Sequence, residues 1–355
     1  MNKLDATLSA IIAPDENTRR QANKRLDQLA IPHWALGRLL DLALDLAAMT
    51  GSMRPRTDRR TVVTMAGDHG VVDEGVSKFP REVTPQMVAN FVRDRASINM
   101  LARHANAAVV VVDMGVAADL SALADAGKIL NKKIAAGTAN MARGPAMTRE
   151  QAIASLEAGI DVAAGLADTT DLFGVGDMGI GNTTPSTAIC AVLTGEEVAA
   201  VCGRGTGLDD AQFGHKIKVI NRAIAVNRPD PTNGLDVLAK VGGFEIGGIA
   251  GVILGAAARR RPVILDGLIA TAGALIAHSL APLCRHYLIA SHRSVEQGHR
   301  AMHRHLGLDP LLDLNLRLGE GTGAALAMHI VHAAARTLDE IDTFDEAMVS
   351  QAVLP

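Results

Sequence analysis

The segment 171–186 combines four glycines with Asp177 and with amide and hydroxyl side chains, just before a small-residue helical pattern that begins near Thr184. Glycines let the backbone approach an anion and adopt a positive φ. The first N–H groups of a helix point at such an anion with the positive end of the helix dipole behind them. This segment therefore predicts a phosphate-binding turn at a helix N-terminus.

The same segment contains a G-x-G-x-x-G spacing at 174–179, and Glu196 and Glu197 follow at about the distance of a ribose-binding acid in a dinucleotide site. In that motif the helix starts within the glycine run, and the acid ends the second strand. Here the helical pattern restarts after 182–185, and no strand pattern precedes the two glutamates. We interpret the spacing as incidental, with a nicotinamide-dependent oxidoreductase as the weaker alternative.

Two other glycine-rich segments carry charged side chains that could take part in chemistry. Glu320 lies between Gly319 and Gly321, which confer backbone freedom, and it has no partner at helical spacing. A functional carboxylate is favoured over simple stabilisation of a helix dipole. The glycine loop 203–207 precedes a helical pattern with Lys216 about two turns in, which either reaches a phosphate or faces solvent.

Strand patterns precede polar turns in the first third of the chain. The segment 60–66 runs into Gly-Asp-His-Gly at 67–70, and the β-branched segment 108–113 is the clearest strand. Functional groups of α/β proteins gather where strands end. His69 is therefore either a catalytic candidate or, as is more usual for such a residue, a support for the turn.

An aromatic residue, Phe79, stands in the otherwise polar loop 76–84, ahead of a helix expected to start at 85–87. Such a side chain can form one wall of a site for a planar ligand. Anchoring of the loop is the alternative.

The order of these patterns predicts an α/β fold with a mostly parallel sheet, flanking helices and right-handed crossovers. Amphipathic helices are expected at 17–48, before the first strand. The central strand is expected to begin near Thr170, the last two strands at 263–266 and 286–291, and an alanine-rich helix at 324–337.

The composition disfavours several classes of protein. The 355 residues carry a net charge of −3 and 2% aromatic residues, which gives neither a basic face nor stacking groups for nucleic acid. Three scattered cysteines argue against disulfide and zinc frameworks and fit a reducing cytoplasm. The first 30 residues lack a signal-peptide pattern, and no apolar run is long enough to span a membrane.

Six segments, in order over most of the chain, together resemble one enzyme family, the nicotinate-nucleotide:dimethylbenzimidazole phosphoribosyltransferases. They are Gly-Asp-His-Gly-Val-Val at 67–72, Gly-Thr-Ala-Asn at 137–140, Gly-Asp-Met-Gly-Ile-Gly-Asn-Thr-Thr at 176–184, Gly-Arg-Gly-Thr-Gly at 203–207, Ser-His at 291–292 and Gly-Glu-Gly-Thr-Gly at 319–323. Six ordered matches are far more specific than any single motif.

The resemblance implies transfer of 5-phosphoribosyl from nicotinate mononucleotide to 5,6-dimethylbenzimidazole or a related base. The products would be α-ribazole 5′-phosphate and nicotinate, with inversion at the anomeric carbon. It also implies a homodimer without metal or organic cofactor. The Rossmann-like catalytic domain would span 56–324, and a smaller helical domain would combine 1–55 with about 325–355.

The resemblance also implies site residues. Glu320 matches the catalytic base, with Asp177 in support. The expected phosphate and ribose contacts are Gly176, Gly179, Gly181, Asn182, Thr183, Gly205, Lys216, Arg317, Leu318 and Gly319. The expected contacts to the aromatic base are Ser77, Phe79, Gln86 and Met87.

Asp177 departs from the family pattern, which usually has Glu at this position. The shorter side chain loses roughly 1.5 Å of reach, which a supporting carboxylate tolerates but a group that must touch the azole proton does not. We therefore expect Glu320 to carry the proton transfer and Asp177 to support it.

Overall fold

The computed structural model describes residues 2–205 and 207–350 and shows a six-stranded parallel sheet flanked by helices. The strands are β1 (Arg60–Gly67), β2 (Ala107–Gly115), β3 (Leu130–Asn131), β4 (Leu172–Met178), β5 (Val263–Leu265) and β6 (Leu288–Ala290). The helices are α1 (Lys3–Ala10), α2 (Glu16–Leu26), α3 (Arg38–Thr50), α4 (Val83–Val92), α5 (Ser97–His104), α6 (Ser121–Asp125), α7 (Arg149–Leu166), α8 (Thr183–Thr194), α9 (Val198–Val201), α10 (Asp210–Asn227), α11 (Gly234–Val241), α12 (Phe244–Ala257), α13 (Leu268–Leu280), α14 (Gln297–Leu306) and α15 (Thr322–Glu340). Short 3-10 helices occupy Gly70–Glu74 and Pro282–Tyr287.

The strand order is β3-β2-β1-β4-β5-β6, and every pair is parallel. The chain builds outward from β1 to β3, returns to the other side of β1, and builds outward again from β4 to β6. This order confirms the predicted Rossmann-like sheet. In open α/β sheets, ligands bind at the carboxyl ends of the strands where the order reverses, here between β1 and β4.

The middle of the sheet is buried on both faces. All eight residues of β1 are buried, and neighbouring residues point to opposite layers. Val62 lies against Gly321 on one side, whereas Met65 lies against Gly248 of α12 on the other. The central strands of a parallel sheet therefore consist of continuous runs of β-branched and apolar residues. This is why the strands predicted at 60–66 and 108–113 are confirmed.

Two features differ from the expectations, and a third agrees with them. The last strand is shorter than 286–291, because a 3-10 helix continues to Tyr287. The two-residue strand β3 has no sequence signal, since its side chains are exposed. Gly174 and Gly176 lie within β4 and not in a turn, so the G-x-G-x-x-G spacing is incidental, as interpreted.

Helices α7 and α12 pack closely, because glycines face each other between them. A Cβ added at Gly251 would lie 2.0 Å from the carbonyl oxygen of Leu156 and 2.9 Å from the Cα of Gly159. Both atoms belong to the backbone of α7 and cannot move aside without shifting the helix.

Gly251→Ala is therefore expected to destabilise the protein by about 1–3 kcal/mol, the usual cost of overpacking a core. Gly165→Ala on α7 is the matched control, because no atom lies within 4 Å of its added Cβ. The control is expected to be neutral or to stabilise by up to about 1 kcal/mol, since alanine favours helix. Urea unfolding of both variants is the measurement, and equal stabilities would contradict the packing argument.

The N-terminal helices form a small cluster with the end of α15. Its buried members include Leu26 of α2, Leu40 of α3 and Leu338 of α15, and Leu29 forms a β-bridge with Thr343. This packing agrees with a small helical unit. The expected domain boundaries themselves stay a prediction, and their last five residues, 351–355, lie outside the described part of the chain.

Candidate active site

A cavity of about 600 Å³ opens at the carboxyl ends of β4, β5 and β6. Its polar lining consists of Asp177, Asn182, Thr183, His292, Ser294, Glu296, Arg317 and Glu320, and its glycines are Gly179, Gly205, Gly267 and Gly319. Its apolar lining consists of Phe79, Val83, Met87, Met178, Ile180, Leu268, Ile269 and Leu318. The cavity thus joins segments that are far apart in the chain.

Glu320 lies in this cavity on a tight turn ahead of α15. It is 5% exposed and has a φ of +64°, and both neighbouring glycines also have positive φ. Its Oε2 accepts a hydrogen bond of 3.1 Å from the N–H of Ile98, in the first turn of α5. Burial raises the pKa of Glu320, and the Ile98 N–H partly opposes that rise. A carboxylate with a raised pKa is suited to accept a proton near neutral pH.

Asp177 lies at the end of β4 and is 6% exposed. Its Oδ2 accepts a 2.8 Å hydrogen bond from Nδ2 of Asn182, while its Oδ1 has no hydrogen-bond partner among the described residues. Burial, followed by the charge of Asp266, raises the pKa of Asp177 well above its usual range. This shift favours the neutral carboxyl, which can donate a hydrogen bond to a ligand.

A cationic corner, formed by Lys216 with Thr183 and the glycine loop 203–205, lies beside the cavity. Lys216 is 1% exposed, and its Nζ donates to Oγ1 of Thr183 at 2.8 Å and to the carbonyl of Gly203 at 3.4 Å. Thr183 is the first residue of α8, so the N-terminus of that helix adds its dipole. Burial lowers the pKa of Lys216. An ammonium group beside a helix N-terminus and a glycine loop can bind a phosphate.

A family model described as Phosphoribosyltransferase matches residues 11–349. A protein of Syntrophotalea carbinolica named nicotinate-nucleotide–dimethylbenzimidazole phosphoribosyltransferase is 63% identical over 351 residues, which cover 99% of each chain. The chain belongs to this phosphoribosyltransferase family. A protein of the same name from Desulfotalea psychrophila is 56% identical over 99% of each chain. The crystal structure of CobT from Thermus thermophilus matches with a TM-score of 0.91 and 48% identity, covering 95% of this chain and 100% of that one.

Most of the residues expected from sequence meet in the cavity of this phosphoribosyltransferase. Those that line it are Asp177, Glu320, Gly179, Asn182, Thr183, Gly205, Arg317, Leu318, Gly319, Phe79 and Met87. Arg317 also donates a 3.1 Å hydrogen bond from Nη1 to the carbonyl of Gly205. The C-terminal segment and the glycine loop 203–205 are therefore joined at the cavity edge.

Other expected residues lie outside the lining. Gly176 is inside β4, where an added Cβ would lie 2.3 Å from the carbonyl carbon of Glu320, so it makes room for the turn. Gly181 has a φ of +89° and packs against Val72. Ser77 accepts the N–H of Phe79 through its hydroxyl.

Two more of the expected residues also lie off the cavity surface. Gln86 is on the exposed face of α4, because its neighbour Met87 takes the inward position. Lys216 is absent from the lining, but its Nζ lies beside the lining residues Thr183 and Gly205. In both places, local sequence order did not reveal which side chain of a helix points inward.

The structure also places in the cavity two residues that were not among the expected site residues. His292 lines the cavity, and burial lowers its pKa to about 4, so the imidazole is neutral at pH 7. The Ser-His pair after the last predicted strand was a usable signal for it. Glu296 is 8% exposed, and its Oε2 has no hydrogen-bond partner among the described residues. No local pattern distinguishes Glu296 from a surface acid.

His69 lies behind the cavity wall and is 1% exposed. Its Nε2 is 2.8 Å from Oε1 of Glu245, although this contact is not aligned as a hydrogen bond. His69 also lies beneath Gly179, whose added Cβ would be 3.3 Å from Nε2. Its position agrees with the interpretation of His69 as a support for the turn.

Proposed function

We propose that the protein transfers 5-phosphoribosyl from nicotinate mononucleotide to 5,6-dimethylbenzimidazole or a related base, giving α-ribazole 5′-phosphate and nicotinate. Full-length relatives carry the name of this activity. The single structural observation that carries the proposal is the buried Glu320 carboxylate, which lines a cavity that has a cationic corner and an apolar rim.

The chemistry needs one base and no acid. The azole nitrogen attacks C1′ of the ribose as the bond from C1′ to the pyridinium nitrogen breaks, and nicotinate leaves as a neutral ring. Glu320 accepts the proton from the azole N–H. Attack on the face opposite to the leaving group inverts the anomeric carbon. Negative charge near C1′ also stabilises the cation-like transition state.

The ends of the substrate have separate sites in this proposal. The phosphate binds at the N-terminus of α8, where Lys216, Thr183 and the Gly205 loop converge. Phe79 and Leu318, which are about half exposed at the cavity rim, enclose the planar base together with Met87. An apolar, flat pocket discriminates weakly among flat bases.

The decisive experiment incubates the protein with nicotinate mononucleotide and 5,6-dimethylbenzimidazole and separates the products by chromatography. Stoichiometric nicotinate and α-ribazole 5′-phosphate are expected, with the α configuration verified by NMR. Release of nicotinate without a new nucleoside phosphate would contradict the proposed transfer. A competition among 5,6-dimethylbenzimidazole, benzimidazole, adenine and phenols then ranks the accepted bases.

An oxidoreductase is disfavoured, since two glycines of the apparent dinucleotide motif lie within β4. A flat fluorescence titration with NADH is expected beside saturable binding of nicotinate mononucleotide.

A catalytically idle member of the fold is disfavoured by the intact Gly319-Glu320-Gly321 turn. Base-dependent release of nicotinate would exclude it.

The pH dependence of kcat/KM provides a further test of the base. Glu320 accepts a proton only when ionised, so activity is expected to fall as the pH drops through its pKa. Because burial raises that pKa, the acidic limb should lie above the value of about 4.3 for an ordinary glutamate. The Glu320→Ala variant should lack this limb and retain only the titration of the free base. An unchanged limb in the variant would assign it to another group.

We propose further that the protein acts as a cytoplasmic homodimer with a small helical domain. No helix in the described part of the chain is both long and apolar enough to cross a membrane. Light scattering after gel filtration is expected to give twice the mass of 37.1 kDa.

A further inference from the structure

The turn that carries Glu320 is strained. Gly319, Glu320 and Gly321 have φ values of +87°, +64° and +96°. The left-handed region disfavours a residue with a Cβ by about 1–2 kcal/mol, and such conformations persist only where the surroundings fix them. Contacts to this turn therefore decide where the Glu320 carboxylate points.

Two contacts hold the turn from β1 and β4. Oγ1 of Thr64 donates to the carbonyl of Glu320 at 2.9 Å, and the N–H of Glu320 donates to the carbonyl of Asp177 at 3.2 Å. These contacts fix the peptide groups of Glu320 itself. They leave the following N–H groups, at the start of α15, to another partner.

That partner is Asp266, which follows β5 and is fully buried. Its Oδ2 accepts the N–H of Gly321 at 3.0 Å, and its Oδ1 accepts the N–H of Gly323 at 2.7 Å. The first N–H groups of a helix have no partner within the helix, and Gly321, as the N-cap, has no side chain to offer. A remote carboxylate supplies the missing cap.

The fit around Asp266 is close. A Cβ added at Gly323 would lie 2.9 Å from Oδ1 of Asp266 and 2.0 Å from Nδ1 of His292. Only glycine allows the backbone to approach both groups. The carboxylate, the turn and the start of α15 are therefore packed as one unit.

We propose that Asp266 is the positioning residue of Glu320, since it fixes the strained turn that aims the catalytic carboxylate into the cavity. Asp266 itself is absent from the cavity lining. It acts through the N–H groups that follow Glu320. The inference rests on the proposed function, in which Glu320 is the base.

Asp266→Asn tests the proposal, because the amide keeps the size of the side chain but turns one acceptor oxygen into a donor that faces a backbone N–H. We expect kcat to fall by about 10²-fold, as for a catalytic group displaced by about 1 Å. KM for nicotinate mononucleotide should stay unchanged, since the cationic corner that binds the phosphate lies on α8 and α10.

Asp113→Asn is the matched control. Asp113 is also a buried acid at the end of a strand, and its Oδ1 accepts the N–H groups of Gly115 and Val116 at 3.0 and 2.9 Å. It lies outside the cavity lining. We expect this variant to lose stability without loss of kcat. Equal losses of kcat in the two variants would overturn the proposal.

A double variant separates positioning from general damage. If Asp266 acts only through Glu320, then adding Asp266→Asn to Glu320→Gln should not lower kcat further. Additive losses would overturn the proposal. Asp266→Ser keeps one acceptor oxygen in a smaller side chain and serves in the same cycle should Asp266→Asn fail to fold.

A crystal structure of the folded variant gives a readout independent of turnover. Glu320 is expected to leave the left-handed region or to lose its hydrogen bond to the N–H of Ile98. An unchanged turn would overturn the inference about Asp266, even with an active wild type. Wild-type protein without nicotinate release would instead overturn the proposed function alone.

Discussion

Replacement of Glu320 by glutamine is expected to lower kcat by about 10²–10⁴-fold, the range that a positioned general base contributes. Glutamine keeps the size of the side chain and can still accept the N–H of Ile98, but it cannot take the azole proton. KM for nicotinate mononucleotide should change little, because this contact matters only as the proton moves. Steady-state kinetics with both substrates varied are the measurement.

Glu320→Ala extends the test, because it removes the carboxylate and keeps the strained φ of +64°. Similar losses in the alanine and glutamine variants would assign the effect to the missing base. A much larger loss in the alanine variant would point to collapse of the turn. Comparison of melting temperatures distinguishes these cases.

Asp177→Asn is the internal comparison for the division of roles. Since burial favours the neutral form of Asp177, asparagine is close to an isostere of the form present at neutral pH. The loss in kcat should therefore be smaller than that of Glu320→Gln. A larger loss in the Asp177 variant would reverse our assignment of the two carboxyl groups.

The fold was predictable where a local pattern reflects burial. Strands β1 and β2 lie in the middle of the sheet and show β-branched runs. The two residues of β3 are exposed and pair with a strand that precedes them by about 20 positions, so nothing local marks them. The parallel arrangement of the sheet followed from the alternation of strands and helices, not from any single segment.

The site was predictable only in part, because its members interact across the chain. Glu320 was found because an acid between glycines is poorly explained by packing. Asp266 was missed because its partners, Gly321 and Gly323, lie 55 and 57 residues away. Gly176 was expected to contact the phosphate or the ribose, yet it lies beneath the Glu320 turn. The sequence does not distinguish a glycine that makes room for another backbone segment from one that makes room for an anion.

Lys216→Met is expected to raise KM for nicotinate mononucleotide by about 10–100-fold, as follows from loss of a charged hydrogen bond of about 1.5–3 kcal/mol. Lys218→Met is the matched control, since Lys218 lies on the same helix and is exposed. It should leave KM unchanged. A fall in kcat with unchanged KM in the Lys216 variant would place the ammonium elsewhere in the reaction.

The stability of the same variant should move in the opposite direction. Lys216 is buried and forms no salt bridge with the described residues, and the charge of nearby Glu296 compensates its burial only in part. Without ligand, Lys216→Met is expected to melt at or above the wild-type temperature, because an apolar chain replaces a poorly compensated buried charge.

Burial lowers the pKa of Lys216, so the charge destabilises the folded state fully below that pKa. The advantage of the variant should then shrink as pH rises from that pKa towards about 10.4, the value for an ordinary lysine. Nicotinate mononucleotide should raise the melting temperature of the wild type much more than that of the variant. A less stable variant without ligand would show that Lys216 is retained for folding and not for the phosphate.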